Sequence, residues 1–355
     1  MKTKVEILGL SFENPILPAS GPIVEGLENL LDLNELPLGG LVTKTISVEG
    51  AVVKKPCIAA TKHMVFNTEL WSEHDLTYWV KVLPQIVEKK KKPLGISVGY
   101  TEEQLKIVIP KIQSFADFIE VSTHYNKASL ESLVKCITSM TDKPVLIKMS
   151  PHIEDDLHFV ETILKAGASG VVALNSFGPG MVVDLKRRSL LLGDQNGHAW
   201  ISGPAIKPFA LNRIANLRGH FPQVPIIGCG GVSSAEDALE MILAGADLVQ
   251  ILSASLINGR SAYVSIVGNL TKVMEDNRIE TIQALRHTPL ERKVYGKGGH
   301  PVITDKCTGC QLCVKICPFS AYIKGNPPKL DPVKCIQCGL CQSRCPVQAI
   351  EGVLT

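Results

Sequence analysis

The chain has 355 residues, 45% of them hydrophobic and 20% charged, which are ordinary values for a globular protein with a large core. A formal net charge of +3 is too small to argue for nucleic acid or a membrane surface as a partner, and no charge-free apolar run reaches the ~20 residues a spanning helix needs. The opening Met1-Lys-Thr-Lys-Val leads straight into Glu6, so no secretory leader and a reducing, cytoplasmic location are expected.

In chain order, Val5–Phe12 reads as an extra N-terminal strand or hairpin. From residue 15 to about 260, short apolar runs rich in β-formers alternate with longer amphipathic stretches. The runs are Pro15–Ser20, Leu41–Thr45, Leu94–Val98, Phe118–Ser122, Val145–Ser150, Val171–Ser176, Pro225–Cys229 and Leu248–Ser253. Helical patterns lie between them, such as Ser234–Leu243 with Gly245 as its stop. Tyr263–Asn277 is the helix expected after the eighth run. Strands apolar on both faces, alternating with helices, call for a parallel sheet covered on both sides. Eight such units in this length predict an α/β fold, a TIM (β/α)8 barrel whose bottom is plugged by Val5–Phe12. The Lys89–Lys92 run before Pro93 reads as the solvated end of a helix; a docking patch for an acidic electron carrier is the alternative.

The glycine-rich stretch Lys293–Pro301 reads as a linker, dividing the chain into a barrel at 1–295 and a small module at 296–355. Eight of the eleven cysteines lie in that module. They form two runs, Cys307, Cys310, Cys313, Cys317-Pro318 and Cys335, Cys338, Cys341, Cys345-Pro346. Each reads C-x2-C-x2-C-x3-C-P, the spacing of bacterial ferredoxins with two [4Fe–4S] clusters, in which the fourth thiolate of each run ligates the other cluster. One cluster is therefore expected on Cys307, Cys310, Cys313 and Cys345, and the second on Cys335, Cys338, Cys341 and Cys317. Zinc sites usually pair Cys-x2-Cys with a distant second pair, which is not this pattern. Cys57, Cys136 and Cys229 look like ordinary buried thiols.

In such barrels the chemistry sits at the C-terminal ends of the strands. Those ends read Ala19-Ser20-Gly21-Pro22, Thr43-Lys44-Thr45, Lys148-Met-Ser-Pro151, Asn175-Ser176, Gly228-Cys-Gly230-Gly231 and Leu252-Ser253-Ala254. The glycine pair after the seventh strand and the serine after the eighth fall where barrels commonly bind phosphate through backbone N–H groups. A lone lysine at a strand end is more often a surface snorkel; the joint placement on one rim is what carries weight.

Several motifs together resemble the flavin-containing dihydroorotate dehydrogenase family, and within it the dihydropyrimidine dehydrogenase branch. They are Asn14-Pro-Ile-Leu-Pro-Ala-Ser-Gly21, Val42-Thr-Lys-Thr45, Asn67-Thr-Glu-Leu-Trp-Ser-Glu73, Ile147-Lys-Met-Ser-Pro151, Ser202-Gly-Pro-Ala-Ile-Lys-Pro208, Gly228-Cys-Gly-Gly-Val232 and Val249-Gln-Ile-Leu-Ser-Ala254. The terminal ferredoxin module also resembles that branch. The resemblance implies FMN in the barrel mouth, with Gly230, Gly231, Ser253 and Ala254 around its phosphate. Ala19, Ser20, Lys44, Asn67, Lys148, Asn175, Ser176 and Gly203 would surround ribityl and ring. A lysine near the pyrimidine edge stabilises the negative charge of reduced flavin, and small residues at Ala19 and Gly203 would let the backbone approach the ring.

The pattern breaks after the fourth strand. Relatives carry a motif of the form Asn-Leu-Ser-Cys-Pro there, whose Cys moves a proton at the substrate carbon; this chain has Glu120-Val-Ser-Thr-His-Tyr-Asn126. Only about twenty residues separate Tyr125 from the fifth strand, so the lid looks truncated. Thr123 in relay with His124 is the expected catalytic pair, since an alcohol needs help to act as acid or base. His124 or Tyr125 acting directly, or a polar rim with no catalytic part, are the alternatives. Glu120 is expected to face the substrate, where it would repel an anion and favour a donor-rich compound. Glu69, Asn67, Asn175 and Ser176 complete the expected substrate contacts.

The expected protein is an FMN- and iron–sulfur-dependent oxidoreductase acting on an activated C=C bond of a small cyclic substrate, in pyrimidine metabolism. Two other readings stay open: the same chemistry on a different compound, dihydroorotate included, and an electron-transfer subunit of a larger complex. No G-x-G-x-x-G follows a strand, so the electron source is expected to be a ferredoxin or a separate NAD(P)H-oxidising flavoprotein subunit. A homodimer or hetero-oligomer is expected by resemblance alone.

Overall fold

The structure, a computed structural model, describes residues 2–99, 101–122, 128–290 and 299–354. The chain separates into two compact units, 1–290 and 291–355. The expected boundary at 295/296 lies outside the described residues.

All eight expected strands form. They are β1 (Ile16–Pro18), β2 (Leu41–Val42), β3 (Leu94–Val98), β4 (Phe118–Ser122), β5 (Val145–Lys148), β6 (Gly170–Ala173), β7 (Ile226–Cys229) and β8 (Leu248–Ile251). They make one sheet in which each strand neighbours the next in sequence and β8 returns to β1. Every ladder is parallel. β1 and β2 end the ladder and pack side by side, joined by the Gly39 N–H donating to the Ile16 carbonyl at 2.8 Å. β2 is shorter than its apolar run because Thr43 to Thr45 leave the ladder. There the Thr43 hydroxyl accepts from Ser97 N–H at 3.0 Å, and the Lys44 N–H donates to the Val24 carbonyl at 3.3 Å.

The helices form where their caps place them. Ser234 and Asp237 make a reciprocal capping box at the start of Ala235–Ala244. Gly245, at φ +118°, ends that helix in the left-handed conformation, one residue beyond the expected apolar pattern. The helix after the eighth strand is Ser261–Asp276. Apolar helix faces pack on the outward side chains of the strands and form the main core.

A second apolar cluster fills the inside of the barrel at its N-terminal end. Leu17, Val42, Phe118, Leu146, Val172, Ile227 and Leu248 each come from a different strand, and Phe12 joins them from the hairpin Val5–Ile7/Leu10–Phe12. The expected plug is therefore present. β3 contributes a glycine to this layer because a Cβ on Gly95 would sit 2.3 Å from the Phe118 ring.

One sheet was not visible in the periodicity. Ile58–Ala60, Val65–Asn67, Ala199–Ser202 and Phe177–Gly180 form an antiparallel four-stranded sheet, built from the long connections after β2 and β6. Its strands are three or four residues long, and the pairing that joins its two halves, Val65–Asn67 with Ala199–Ser202, spans more than a hundred positions, so local pattern carries little trace of it.

The second unit has internal pseudo-symmetry. Short helices Leu312–Ile316 and Leu340–Arg344 each start inside a cysteine run, flanked by the small sheets Val302–Ile303/Ile350–Glu351 and Tyr322–Ile323/Lys329–Leu330. Its core is Cys313, Tyr322 and Ile350, with Ile303, Val314, Leu330 and the thiols Cys317, Cys341 and Cys345 packed around them, too little apolar surface to hold such a fold unaided.

Candidate active site

Most of the polar residues expected on the rim converge on one cavity of about 360 Å³ at the C-terminal ends of the strands. Ala19, Ser20, Lys44, Asn67, Glu69 and Lys148 line one part of it; Asn175, Ser176, Gly230, Gly231 and Ser253 line the rest. Strand parity explains the convergence. Inward positions two residues above the apolar layer, such as Lys148 above Leu146 and Cys229 above Ile227, face the mouth.

Two buried lysines dominate the electrostatics. Lys44 Nζ donates to Glu69 Oε2 at 2.8 Å, and Glu69 Oε1 accepts from the Cys57 thiol at 3.1 Å. Burial pushes the Glu69 carboxyl toward its neutral form, but the Lys44 charge, its hydrogen bond and that of Cys57 together outweigh burial and hold the group below the usual carboxylate range. Burial, and then the hydrogen bond to Glu69, push the Cys57 thiol up, so it stays protonated. Lys148 Nζ lies 3.3 Å from Glu120 Oε1 and 3.3 Å from Gln250 Oε1. Burial is the largest single influence and presses Lys148 toward the neutral amine, yet the opposing contributions, led by the Glu120 charge and including its hydrogen bond, together keep the ammonium above its ordinary range. Cys229, beside them, is pushed up by burial and remains a thiol, although the Lys148 charge pulls the other way.

A chain of hydroxyls runs down one wall, Ser20 Oγ to Thr45 Oγ1 to Ser97 Oγ, at 3.1 Å for each step. Asn67 is held by the second sheet, where its amide donates to the Trp200 carbonyl at 3.4 Å and its Oδ1 accepts from Glu69 N–H at 3.3 Å. Asn175 Oδ1 accepts from Ser176 N–H at 2.8 Å.

Three expectations change. Glu120 does not face the cavity. It lies behind Lys148 and Gln250, completely buried, with both carboxylate oxygens engaged by them. The reason is its position within β4 rather than beyond it, where its side chain points into the barrel axis. Gly203, at φ +98°, does not line the cavity; a Cβ there would meet His63 O at 3.1 Å and Met64 Cα at 3.2 Å. Ala254 is buried in the core and is not among the residues lining the cavity. Thr123, His124 and Tyr125 lie outside the described residues.

The residues suit a flavin mononucleotide. Gly231 has φ +81°, and a Cβ there would lie 2.7 Å from Lys207 N and 2.9 Å from Gly203 O, so the turn exists only without a side chain. Ser253 begins the helix Ser253–Asn258, whose first N–H groups have no intrahelical acceptor. Its hydroxyl donates to Ser202 Oγ at 2.9 Å. Together they make a donor-lined cradle for an anion, and the buried Lys148 supplies a cation across the cavity.

Gln250, Trp200 and Cys57 belong to the site and were missed as site residues. Gln250 left a readable signal, an amide inside an otherwise apolar strand. Trp200 and Cys57 left none, because they depend on the unexpected sheet.

In the second unit no three thiols, imidazoles or carboxylates among the described residues converge on a single-ion site. The thiols instead ring two small cavities of about 20 Å³ each. Cys317, Cys335, Cys338 and Cys341 line one; Cys307, Cys310, Cys313 and Cys345 line the other, with Cys341 at its edge. These are the two foursomes expected from the spacing, including the exchange of the fourth thiol between runs. Backbone N–H groups of Ala321 and Ala349 donate to Cys317 and Cys345 at 3.3 and 3.2 Å, the same contact in each repeat.

Residues 2–274 match the dihydroorotate dehydrogenase family, and residues 306–350 match the 4Fe-4S dicluster domain. The chain is 29% identical over 307 residues to the dihydroorotate dehydrogenase B (NAD+) catalytic subunit of Pyrococcus furiosus, covering 80% of this chain and 98% of that protein. It is 30% identical over 302 residues to the same subunit of Listeria innocua, covering 79% and 96%. The counterpart in Carboxydothermus hydrogenoformans is 28% identical over 303 residues, covering 80% and 96%. These relatives are matched over nearly their whole length, while a fifth of this chain lies outside the match. With that match spanning the barrel, this chain belongs to the dihydroorotate dehydrogenase family, as an oxidoreductase of CH–CH groups that uses FMN and carries a second domain for two [4Fe–4S] clusters.

Proposed function

We propose that this chain interconverts a C=C bond and its dihydro form in a neutral cyclic amide, a pyrimidine in preference to orotate. The observation that carries this reading is the Lys44–Glu69 pair. Lys44 is the cavity cation nearest the expected substrate contacts, and Glu69 neutralises it at 2.8 Å. A substrate carboxylate would meet that carboxylate, whereas ring N–H donors would find an acceptor in it. Asn67, Asn175 and Ser176 add amide and hydroxyl groups suited to ring carbonyls and N–H groups.

Bound FMN would supply the interchange between hydride and single-electron chemistry. Lys148 would set a positive charge against the pyrimidine edge of the ring, and Gly230, Gly231, Ser253 and the Ala254 N–H would hold the phosphate. Thr123 with His124 moves the proton at the substrate carbon, in place of the family's cysteine. Cys307, Cys310, Cys313 and Cys345 hold one cluster; Cys335, Cys338, Cys341 and Cys317 hold the other. The division is a flavin barrel at 1–295 and an electron-transfer module at 296–355. Electrons come from a ferredoxin or from a separate NAD(P)H-oxidising subunit, and the unpaired state of the three cysteines outside the cluster runs, Cys57, Cys136 and Cys229, fits a reducing cytoplasm as the setting. No helix among the described residues is long and apolar enough to cross a membrane.

A second reading, turnover of dihydroorotate, is favoured by the names of the relatives. One anaerobic experiment separates the two. The reconstituted protein is reduced with dithionite and offered uracil, thymine and orotate in turn, while the oxidised flavin absorbance is followed. Reoxidation by uracil or thymine is expected, with orotate at least tenfold slower. Rapid reoxidation by orotate with both pyrimidines inert would replace the first reading with the second.

A further inference from the structure

We infer that Glu120 lowers the reduction potential of the flavin by partly cancelling the charge of Lys148, and so poises the site to deliver hydride rather than to accept it. The inference rests on the reading above in which Lys148 faces the pyrimidine edge of the ring.

Glu120, Lys148 and Gln250 form a closed triangle at the cavity floor, with Lys148 and Gln250 lining it and Glu120 behind them. Glu120 Oε1 accepts from Lys148 Nζ at 3.3 Å, Gln250 Oε1 accepts from the same ammonium at 3.3 Å, and the second Glu120 oxygen accepts from the Gln250 amide. Glu120 has no exposed surface, while Lys148 keeps 7% and lines the cavity. The carboxylate therefore reaches the reacting atoms only through the lysine, which makes Glu120 a positioning residue. The neighbouring Cys229 is held as a thiol, and Lys44 is occupied by Glu69.

A buried ion pair is an expensive way to fill the inside of a barrel, since well-packed apolar side chains of similar volume are often as stable or more so. The layer directly below is filled in that apolar way, by Phe118 and Leu146 on the same two strands. The pair thus has a rationale in the charge it sets rather than in stability. Reduction of the bound flavin takes up two electrons, passed singly from the clusters, and one proton from solvent. It leaves one negative charge at the pyrimidine edge. Transfer of hydride to one carbon of the C=C bond, with proton uptake at its neighbour, restores the oxidised ring. An unpaired ammonium would stabilise the negative charge strongly in this low-dielectric floor; one already facing a carboxylate stabilises it less.

The test is an anaerobic, dye-equilibrated redox titration of the full-length holoprotein, with the clusters followed separately by electron paramagnetic resonance. Glu120→Gln keeps the shape and the acceptor for Lys148 while removing the charge. Its flavin midpoint is expected to rise by about 30 mV, a tenfold change in the two-electron equilibrium. Glu120→Asn, the amide of the family pattern, serves as the second variant if the first folds poorly, and the same rise is expected. A midpoint at or below that of the unmodified protein in either variant overturns the inference. Adding Lys148→Gln to Glu120→Gln separates it from the reading it rests on. A fall in midpoint relative to Glu120→Gln alone is expected. If that fall occurs although Glu120→Gln changed nothing, only the Glu120 inference is lost. If the added Lys148→Gln moves nothing, the flavin does not lie against Lys148 and both are lost.

Discussion

The inside of the barrel has two ends built on the same strands and on opposite principles. At the N-terminal end, Phe12, Leu17, Val42, Phe118, Leu146, Val172, Ile227 and Leu248 close the interior as a dry apolar layer. Two residues further along, those strands present Lys148, Glu120, Gln250 and Cys229, and the neighbouring connections add Lys44 and Glu69. The lower layer depends on volume alone and tolerates no charge. The upper layer is held by paired charges and amides, each satisfied by a neighbour, and its cost is repaid in chemistry. Stability and function are thus separated by one turn of the strand pleat.

The contrast makes its strongest demand at Phe118. Phe118→Ala should destabilise the protein by about 4 kcal/mol, because it opens a cavity in the closed layer. Urea denaturation measures the loss, and the flavin spectrum of the folded fraction should not change. A change in that spectrum would show that the two ends are not independent. Lys148→Met should cost about 3 kcal/mol by leaving the Glu120 carboxylate buried without its cation. The double variant Lys148→Met/Glu120→Leu should recover most of that loss, and failure to recover would mean that the upper layer is not a matched pair.

Smaller effects sharpen the picture of the mouth. Gly231→Ala forces a Cβ against the backbone at Lys207 N and Gly203 O, at 2.7 and 2.9 Å, with φ at +81°. It should cost about 2 kcal/mol locally and lower the flavin-to-protein ratio of purified protein, while a full ratio would free the glycine turn from any part in cofactor binding. Glu69→Gln should cost about 1 kcal/mol at neutral pH. The sign follows from the depressed folded value of Glu69. Its contribution is present above the unfolded carboxylate value of about 4.3 and is lost as pH falls through the folded one. Thermal melts of the two proteins should differ at pH 7 and converge towards pH 3; a constant difference would place the Lys44–Glu69 effect outside ionisation.

The eight strands were legible because each is apolar on both faces, and helix Ala235–Ala244 because Ser234, Asp237 and Gly245 mark its ends. Most of the rim was legible too, since strand ends in such a barrel share one face. Glu120 was not. Nothing local distinguishes a carboxylate that faces a substrate from one turned toward a lysine on the next strand. Asn67 and Glu69 were legible only as a motif, because the second sheet that presents Asn67 pairs Val65–Asn67 with Ala199–Ser202, far apart in the chain.

By itself, the sequence determined the fold class and the presence of a C-terminal domain for two clusters. Period, spacing and composition are local quantities, and a cluster motif is set by distances along the chain. Which charges pair, which glycine opens a cavity and which only packs, and what lies above or below the barrel floor were decided by tertiary structure. Those outcomes depend on residues such as Glu120 and Gln250, 130 positions apart, whose contact is created only when the sheet closes.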